Sequence, residues 1–233
     1  MTPEGDYLSG YFAWAFRNRA HAMIQNGWNR FQQLARQHDW DPQPVPRNQL
    51  DYSLGKPAQP GGLKLEVTMR DLPRGNVTKP GRGVFQQCAY NISWTGFSPQ
   101  EALHFVTESD EKQRLPGEIL ERFSKTLKDC VRGQCSDWGR GAVKQGELYT
   151  QCIRREANML TMRVTGTARF SEGGRAYSCQ LHGRVVYDKQ AKRFTQFQLV
   201  ASGQRRGRSQ FNGRNDDPGP APMGVAYVLY HRD

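Results

Sequence analysis

The stretch that decides the fold runs from Arg175 to Gly207 and reads RAYSCQLHGRVVYDKQAKRFTQFQLVASGQRRG. After the polar segment DKQAKR, apolar residues return at every second position, at Phe197, Leu199 and Ala201. Before that segment the same alternation is already present, and its apolar or small members are Tyr177, Cys179, Leu181, Gly183, Val185 and Tyr187. Successive side chains of a β-strand point to opposite faces, so this pattern predicts a hairpin with one face in the core.

Other segments of the chain share this period of two. They are LKLEVTMRDL at 63–72, VFQQCAYNISW at 84–94, GELYTQCIRR at 146–155, MLTMRVTGTARF at 159–170 and MGVAYVLY at 223–230. In the second of them, one face is predicted to hold Val84, Cys88, Tyr90, Ile92 and Trp94. Sequential strands joined by short turns favour antiparallel pairing, so we expect a curled antiparallel β-sheet or a partial β-barrel.

Helices are expected mainly before the strands, which makes the fold class α+β. Residues 6–37 carry an aromatic-rich apolar stripe at helical spacing and predict one long N-terminal helix. A short helical insertion is predicted near 98–130. There the sequence SPQE, at 98–101, is typical of a capping box, and a second helix opens at Pro116. The stripe of this second helix is predicted to comprise Ile119, Leu120, Phe123 and Leu127.

Three parts of the chain are predicted from these patterns. Residues 1–38 form an N-terminal helical arm, residues 39–62 form a linker rich in proline and glycine, and residues 63–233 form a β-rich domain with the helical insertion. The arm can dock on its own domain, or it can serve a partner or a membrane surface. The sequence alone leaves that choice, and the oligomeric state, open.

The charge balance points to anionic partners. The chain of 233 residues has 33 lysines and arginines against 22 acidic residues, a net charge of +11. The strongest local candidate is the segment SGQRRGRSQFNGRNDD at 202–217, which is predicted to be a loop. Guanidinium groups can bind phosphate or carboxylate bidentately, and an aromatic ring can stack on a base or a sugar. We therefore predict an anion-binding site formed by Arg205, Arg206, Arg208, Arg214 and Phe211. The alternative is a solvated loop whose arginines pair with Asp216 and Asp217.

Cysteine spacing argues against a metal site. The five cysteines include no C-x-x-C pair, so zinc-ribbon and thioredoxin interpretations lose their main support. Cys130 and Cys135 flank VRGQ, a short segment that a local disulfide can close. None of the five histidines has a partner at ligand spacing, so no metal and no cofactor is expected. No catalytic motif is recognised, and catalytic residues stay unassigned.

The expected compartment is periplasmic or extracellular, because the five cysteines favour one or two disulfides and disulfides persist in oxidising compartments. No leader is recognisable at residues 1–16, so a leader would have been removed before this numbering begins. A cytoplasmic location is the alternative. No apolar run in the sequence is long enough to span a membrane.

Three segments resemble those of a known group of proteins. The segments LKLEVTMRDLPRG, GRVVYDKQAKRFTQFQLVASGQRRG and FNGRNDDPGPAPMGVAYVLY are similar to parts of a group of uncharacterised, exported bacterial proteins. The resemblance covers about the last third of the chain plus one earlier strand. It implies bacterial origin and export, and it supplies no activity and no catalytic residue.

The leading functional expectation is a non-enzymatic protein with a binding or structural role. Its basic surface would face anionic envelope or extracellular material, so an anionic polymer or a phosphate-bearing ligand is the expected partner. One alternative is a hydrolase that acts on an anionic substrate. A second alternative is a nucleic-acid-binding module. It is disfavoured because the basic residues are scattered along the sequence and because the sequence has no zinc-finger, KH or RRM signature.

Overall fold

The structure is a computed structural model that describes residues 20–38, 61–74 and 90–230. The chain divides into two units, residues 1–52 and 53–233. In the first, helix α1 spans Ala20–His38, and the rings of Trp28 and Phe31 stack with centroids 5.6 Å apart. The long N-terminal helix was predicted from residue 6; its residues before 20, and the predicted linker up to residue 60, lie outside the described residues.

The second unit is built on one antiparallel sheet, as the sequence predicts. Eight strands are hydrogen-bonded in the order β2-β1-β8-β7-β6-β5-β4-β3. Within the described residues the edge strands β2 and β3 do not pair with each other, so the sheet is open and not closed into a barrel. The strands are β1 Leu63–Asp71, β2 Tyr90–Phe97, β3 Gln113–Arg114, β4 Val143–Glu156, β5 Met159–Glu172, β6 Arg175–Asp188, β7 Arg193–Arg206 and β8 Ala221–Leu229.

Strands β4 to β7 form consecutive hairpins of 14-residue strands. The pairing register aligns the predicted core positions of neighbouring strands, so that Leu181 of β6 lies opposite Gly166 of β5 and Ala201 of β7. Leu181, Val185 and Leu199 are almost completely buried, which confirms the predicted core face of the opening stretch. We call this side of the sheet the inner face.

The helical insertion adds the second layer. Helix α2 spans Pro99–Leu103 and helix α3 spans Gly117–Ser124. The predicted capping box is present, because Ser98 Oγ accepts from the Glu101 amide at 3.3 Å and Glu101 Oε2 accepts from the Ser98 amide at 2.7 Å. The apolar residues predicted for the second helix are buried, but α3 ends at Ser124, so Leu127 lies after the helix.

Aromatic rings join the insertion to the inner face. The Phe105 and Phe197 rings meet edge to face with centroids 5.2 Å apart, and Phe123 and Tyr227 do so at 4.9 Å. Such pairs contribute about 0.5–1.5 kcal/mol each beyond the area they bury. The inner face is therefore core, while the opposite side of β4 to β8, which we call the outer face, presents the other half of the alternating residues.

The predicted strand at 84–94 is described from Tyr90 onward, as part of β2. Tyr90 and Ile92 do share a face of β2, but their side chains are 59% and 41% exposed. The cause is the register of the edge pair: Ile92 lies opposite Thr68, on the side of β1 away from the buried Val67. From β2 it is Phe97, opposite Leu63, that enters the core.

Candidate functional site

The predicted arginine loop is divided by the structure between a strand and a loop. Strand β7 continues to Arg206, so Arg205 and Arg206 belong to the strand and only the following residues form a loop. The period of two persists through Ala201, Gly203 and Arg205, which puts Arg205 on the buried side and Arg206 on the exposed side. Arg208 is also exposed, and Phe211 is half-buried, with its carbonyl accepting from the Gln134 amide at 2.8 Å.

Arg214 is completely buried, and within the described residues its guanidinium group donates hydrogen bonds to carboxylates. It binds Asp129 bidentately, with Nε and Nη2 each 2.8 Å from an oxygen, and it binds Asp71 bidentately through Nη1 and Nη2, also at 2.8 Å. A third carboxylate, Asp217, lies 3.3 Å from Nη1. One guanidinium group therefore bridges three aspartates.

Arg205 is also completely buried and completes this group. Its Nη1 donates to the Asp217 carbonyl at 2.7 Å and its Nη2 to the Asp217 carboxylate at 2.5 Å. Arg74 binds the same carboxylate bidentately at 2.8 and 2.6 Å, and Arg132 Nη2 lies 3.2 Å from Asp71. We call the set the ion-pair cluster; its members are Arg74, Arg132, Arg205, Arg214, Asp71, Asp129 and Asp217.

The arginines of the cluster favour the ionised form of two of its carboxylates, Asp217 and Asp71. Burial alone would raise the pKa of Asp217, but hydrogen bonds and charge from Arg74 and Arg205 outweigh it and bring the pKa to about 2. For Asp71, burial is likewise opposed by Arg214, and the net effect is a lowered pKa.

Two predicted anion ligands are thereby corrected. Arg205 and Arg214 were expected to bind an external anion, but their guanidinium groups are occupied by aspartates of the chain itself. Their partner Asp217 was named in the alternative interpretation, whereas Asp71 and Asp129 were not. No local pattern could have found these two, since Asp71 is 143 residues away from Arg214. For Arg206, Arg208 and Phe211, anion binding stays a prediction.

A second group of arginines lies on the outer face of the sheet. Arg163 of β5 and Arg184 of β6 are direct cross-strand partners, and both are exposed. Among the described residues, neither forms an ion pair with a carboxylate. Their neighbours on that face carry no negative charge; they are Gln151, Thr165, His182 and Gln198.

Two further arginines lie toward the other end of the same face. Arg169 is on β5, and Arg206 of β7 lies opposite Ala176 of β6. Six residues of strand separate Arg163 from Arg169, which corresponds to about 20 Å. Next to Arg169 the sheet has a depression of about 610 Å³, lined mainly by amide and hydroxyl side chains: Gln145, Thr167, Ser178, Gln180, Ser202 and Gln204.

The two candidate disulfide cysteines lie close together in the segment between α3 and β4. Cys130 and Cys135 are both free thiols, and Cys130 Sγ lies 4.0 Å from the Cys135 carbonyl oxygen. The disulfide therefore stays a prediction. Cys152 and Cys179 are buried on the inner face, as expected for cysteines within strands.

In the part of the chain that the structure describes, no group of three or more His, Cys, Asp or Glu side chains is arranged so that it could hold a metal ion. Within the same residues, no helix is both long and apolar enough to cross a membrane. No protein-family model matches the chain, and neither a curated protein nor a solved structure shows significant similarity to it. Fold and site thus define the described part of the second unit as an open antiparallel sheet, with the helices of the insertion packed on one face and arginines on the other.

Proposed function

We propose that the protein is a non-enzymatic binding protein that holds an elongated acidic polysaccharide along the outer face of its sheet. The observation that carries the proposal is the opposed pair Arg163 and Arg184. Two like charges directly opposite on neighbouring strands destabilise a sheet by about 0.2–1 kcal/mol. A carboxylate or sulfate between the two guanidinium groups removes this repulsion and can accept bidentate hydrogen bonds from both.

The length of the charged surface supports a polymer as the ligand. Arg163 and Arg184 lie at one end, and Arg169 and Arg206 lie at the other. A small anion would reach only one of these pairs across about 20 Å of strand, whereas a chain with repeated acidic groups reaches both.

The residues that line the depression next to Arg169 favour a sugar polymer over nucleic acid. Amide and hydroxyl groups, such as those of Gln180 and Ser202, match the hydroxyl groups of a saccharide. Single-stranded nucleic acid is typically held by aromatic rings on which bases stack, and the residues lining the depression include none.

The same lining does not favour the hydrolase alternative. Its candidate nucleophiles are the hydroxyl groups of Thr167, Ser178 and Ser202, because the Cys179 side chain is buried on the inner face. No carboxylate or histidine lines the depression to serve as a general base.

The test compares two double variants that lose the same charge. Arg163→Gln/Arg184→Gln removes the opposed pair, while Lys112→Gln/Lys125→Gln removes two exposed lysines from the helical insertion. On immobilised heparin, the arginine variant should elute at clearly lower salt than the lysine variant. In solution its affinity for heparin should fall at least tenfold, since each charge-assisted hydrogen bond contributes about 1.5–3 kcal/mol.

Equal elution of the two variants would overturn the proposal, because net charge alone would then explain retention. Polygalacturonate and single-stranded DNA are the comparison ligands. Tighter binding of the DNA, lost in the arginine variant, would assign the outer face to nucleic acid instead.

We further propose a periplasmic or extracellular location, where such polymers occur. The thiol content of protein isolated from its own cells checks this by mass spectrometry with and without reductant. A fully reduced protein would contradict export.

A further inference from the structure

A pair of thiols beside an arginine forms a second site, independent of the outer face. Cys130 and Cys135 are separated by the segment VRGQ, and Arg175 Nη1 lies 2.8 Å from the Cys135 sulfur. Cys130 is half-buried and Cys135 is buried, with 8% exposed, while the adjoining Gln134 and Ser136 are exposed.

Arg175 is held in this position by the residues around it. It donates to the carbonyl oxygens of Ser136 and Asp137 at 2.6 and 2.8 Å, and to Glu172 Oε2 at 2.8 Å. Its guanidinium group lies 4.5 Å from the centre of the Trp138 ring. These contacts fix the positive charge against one sulfur, which is the arrangement that stabilises a thiolate.

The groups around the two sulfurs shift the pKa values of the two thiols in opposite directions. The hydrogen bond with Cys130 and the positive charge of Arg175 lower the pKa of Cys135 to about 6, although burial opposes them. The pKa of Cys130 is raised by the same hydrogen bond and by burial, while Lys128 opposes the rise weakly. Lys128 is itself paired with Asp137 at 2.5 Å. The contact with Arg175 thus favours the thiolate at Cys135, whereas the surroundings of Cys130 favour its protonated form.

We propose that Cys135 and Cys130 form a reversible thiol–disulfide exchange site, with Cys135 as the attacking thiolate and Cys130 as the resolving thiol. The co-reactant is a low-molecular-weight disulfide. The Cys135 thiolate attacks one sulfur of that disulfide, the sulfur–sulfur bond breaks, and one thiolate leaves. Cys130 then loses its proton to that thiolate and attacks the Cys135 sulfur, which releases the second half of the reagent as a thiolate that takes a proton from water. The net change oxidises two protein thiols to one disulfide and reduces the reagent to two thiols.

Two buried cysteines provide internal controls for the first test. Cys152 and Cys179 are 2% and 6% exposed, and burial raises the pKa of Cys179. Iodoacetamide alkylation of the folded, reduced protein, followed peptide by peptide, should be fastest at Cys135, with a half-maximal rate near pH 6. In Arg175→Gln the midpoint should move toward the ordinary thiol value of about 8.5, and the rate at low pH should fall several-fold. Alkylation of Cys135 no faster than that of Cys152 and Cys179 would overturn the proposal.

The second test traps the intermediate and does not depend on Arg175. With oxidised glutathione at neutral pH, the reduced wild type should form the Cys130–Cys135 disulfide, and reduced glutathione should reverse it. Cys130→Ser should stop at one glutathionyl group on Cys135. Cys135→Ser should remain unmodified at Cys130. Equal modification of both single variants, or none in Cys130→Ser, would contradict the assigned roles.

Discussion

Arg208 and Arg214 are two arginines only six positions apart in the sequence, but they lie in different environments. Arg208 is exposed, whereas Arg214 is completely buried among Asp71, Asp129 and Asp217. The planar guanidinium group of Arg214 donates bidentate hydrogen bonds to two carboxylates at the same time, which a lysine ammonium group cannot do. Removing one partner of a buried ion pair is costly because the remaining charges stay buried without compensation.

We therefore predict that Arg214→Lys lowers the free energy of unfolding by about 3 kcal/mol. Urea unfolding followed by tryptophan fluorescence measures it. Arg208→Lys is the matched control and should change stability by less than about 0.5 kcal/mol. Similar unfolding midpoints for the two variants would mean that the ion-pair cluster does not stabilise the fold.

At the scale of elements, the strand glycine with the least room for a Cβ atom lies in β7, where it faces β6. Gly203 is the critical position, because a Cβ atom there would lie 1.9 Å from the Ser178 carbonyl oxygen and 2.6 Å from the Cys179 Cα. Both are backbone atoms of β6, so no side chain can rotate to make space. A glycine is required here by the close approach of two strands.

Gly203→Ala should therefore destabilise the protein by several kcal/mol and lower its thermal midpoint. Gly117, the first residue of α3, is the control: a Cβ atom there meets nothing within 4 Å. Gly117→Ala should leave stability unchanged or raise it by less than about 1 kcal/mol, since alanine has the better helix propensity. Thermal unfolding by circular dichroism compares the two; equal effects would refute the close-approach argument.

Elements were predictable where their pattern is local. The alternation of β4 to β8 and the capping box of Ser98 and Glu101 were read from neighbouring residues, and the structure confirms both. The end of β7 was predicted wrongly, and the sequence did not indicate which face of β2 is buried. Each depends on which strand lies alongside, since pairing with β6 and β8 extends β7 to Arg206, and the register with β1 turns Ile92 outward.

For the whole second unit, the ion-pair cluster joins distant parts of the chain. Asp71 ends β1, Asp129 follows α3, Arg205 is in β7, and Arg214 and Asp217 are in the segment before β8. Because the carboxylates must be ionised for these contacts, the stability of the unit depends on pH through them.

The sign of that dependence follows from Asp217, whose pKa falls from 3.8 to about 2 on folding. A lowered pKa contributes stability that is complete above about pH 4 and is lost as the pH falls toward about 2. The contribution amounts to about 2 kcal/mol. Urea unfolding at a series of pH values between about 5 and 2 should show this loss in the wild type.

Asp217→Asn provides the comparison for this prediction. The variant should be less stable near neutral pH, and its stability should fall less steeply over the same acid range. Parallel pH profiles for the two proteins would show that Asp217 does not titrate as assigned.

The sequence by itself determined the class of fold, the core face of β4 to β8 and the helical insertion. These follow from the period of side chains along a strand or a helix, which is a local property. Only the tertiary structure decided which arginines face protein and which face solvent. Arg205 meets Asp217 inside the cluster, whereas Arg163 meets Arg184 on the outer face. Ion pairing depends on distances across the fold, and residues that meet at 3 Å can be more than a hundred positions apart, as Arg214 and Asp71 are.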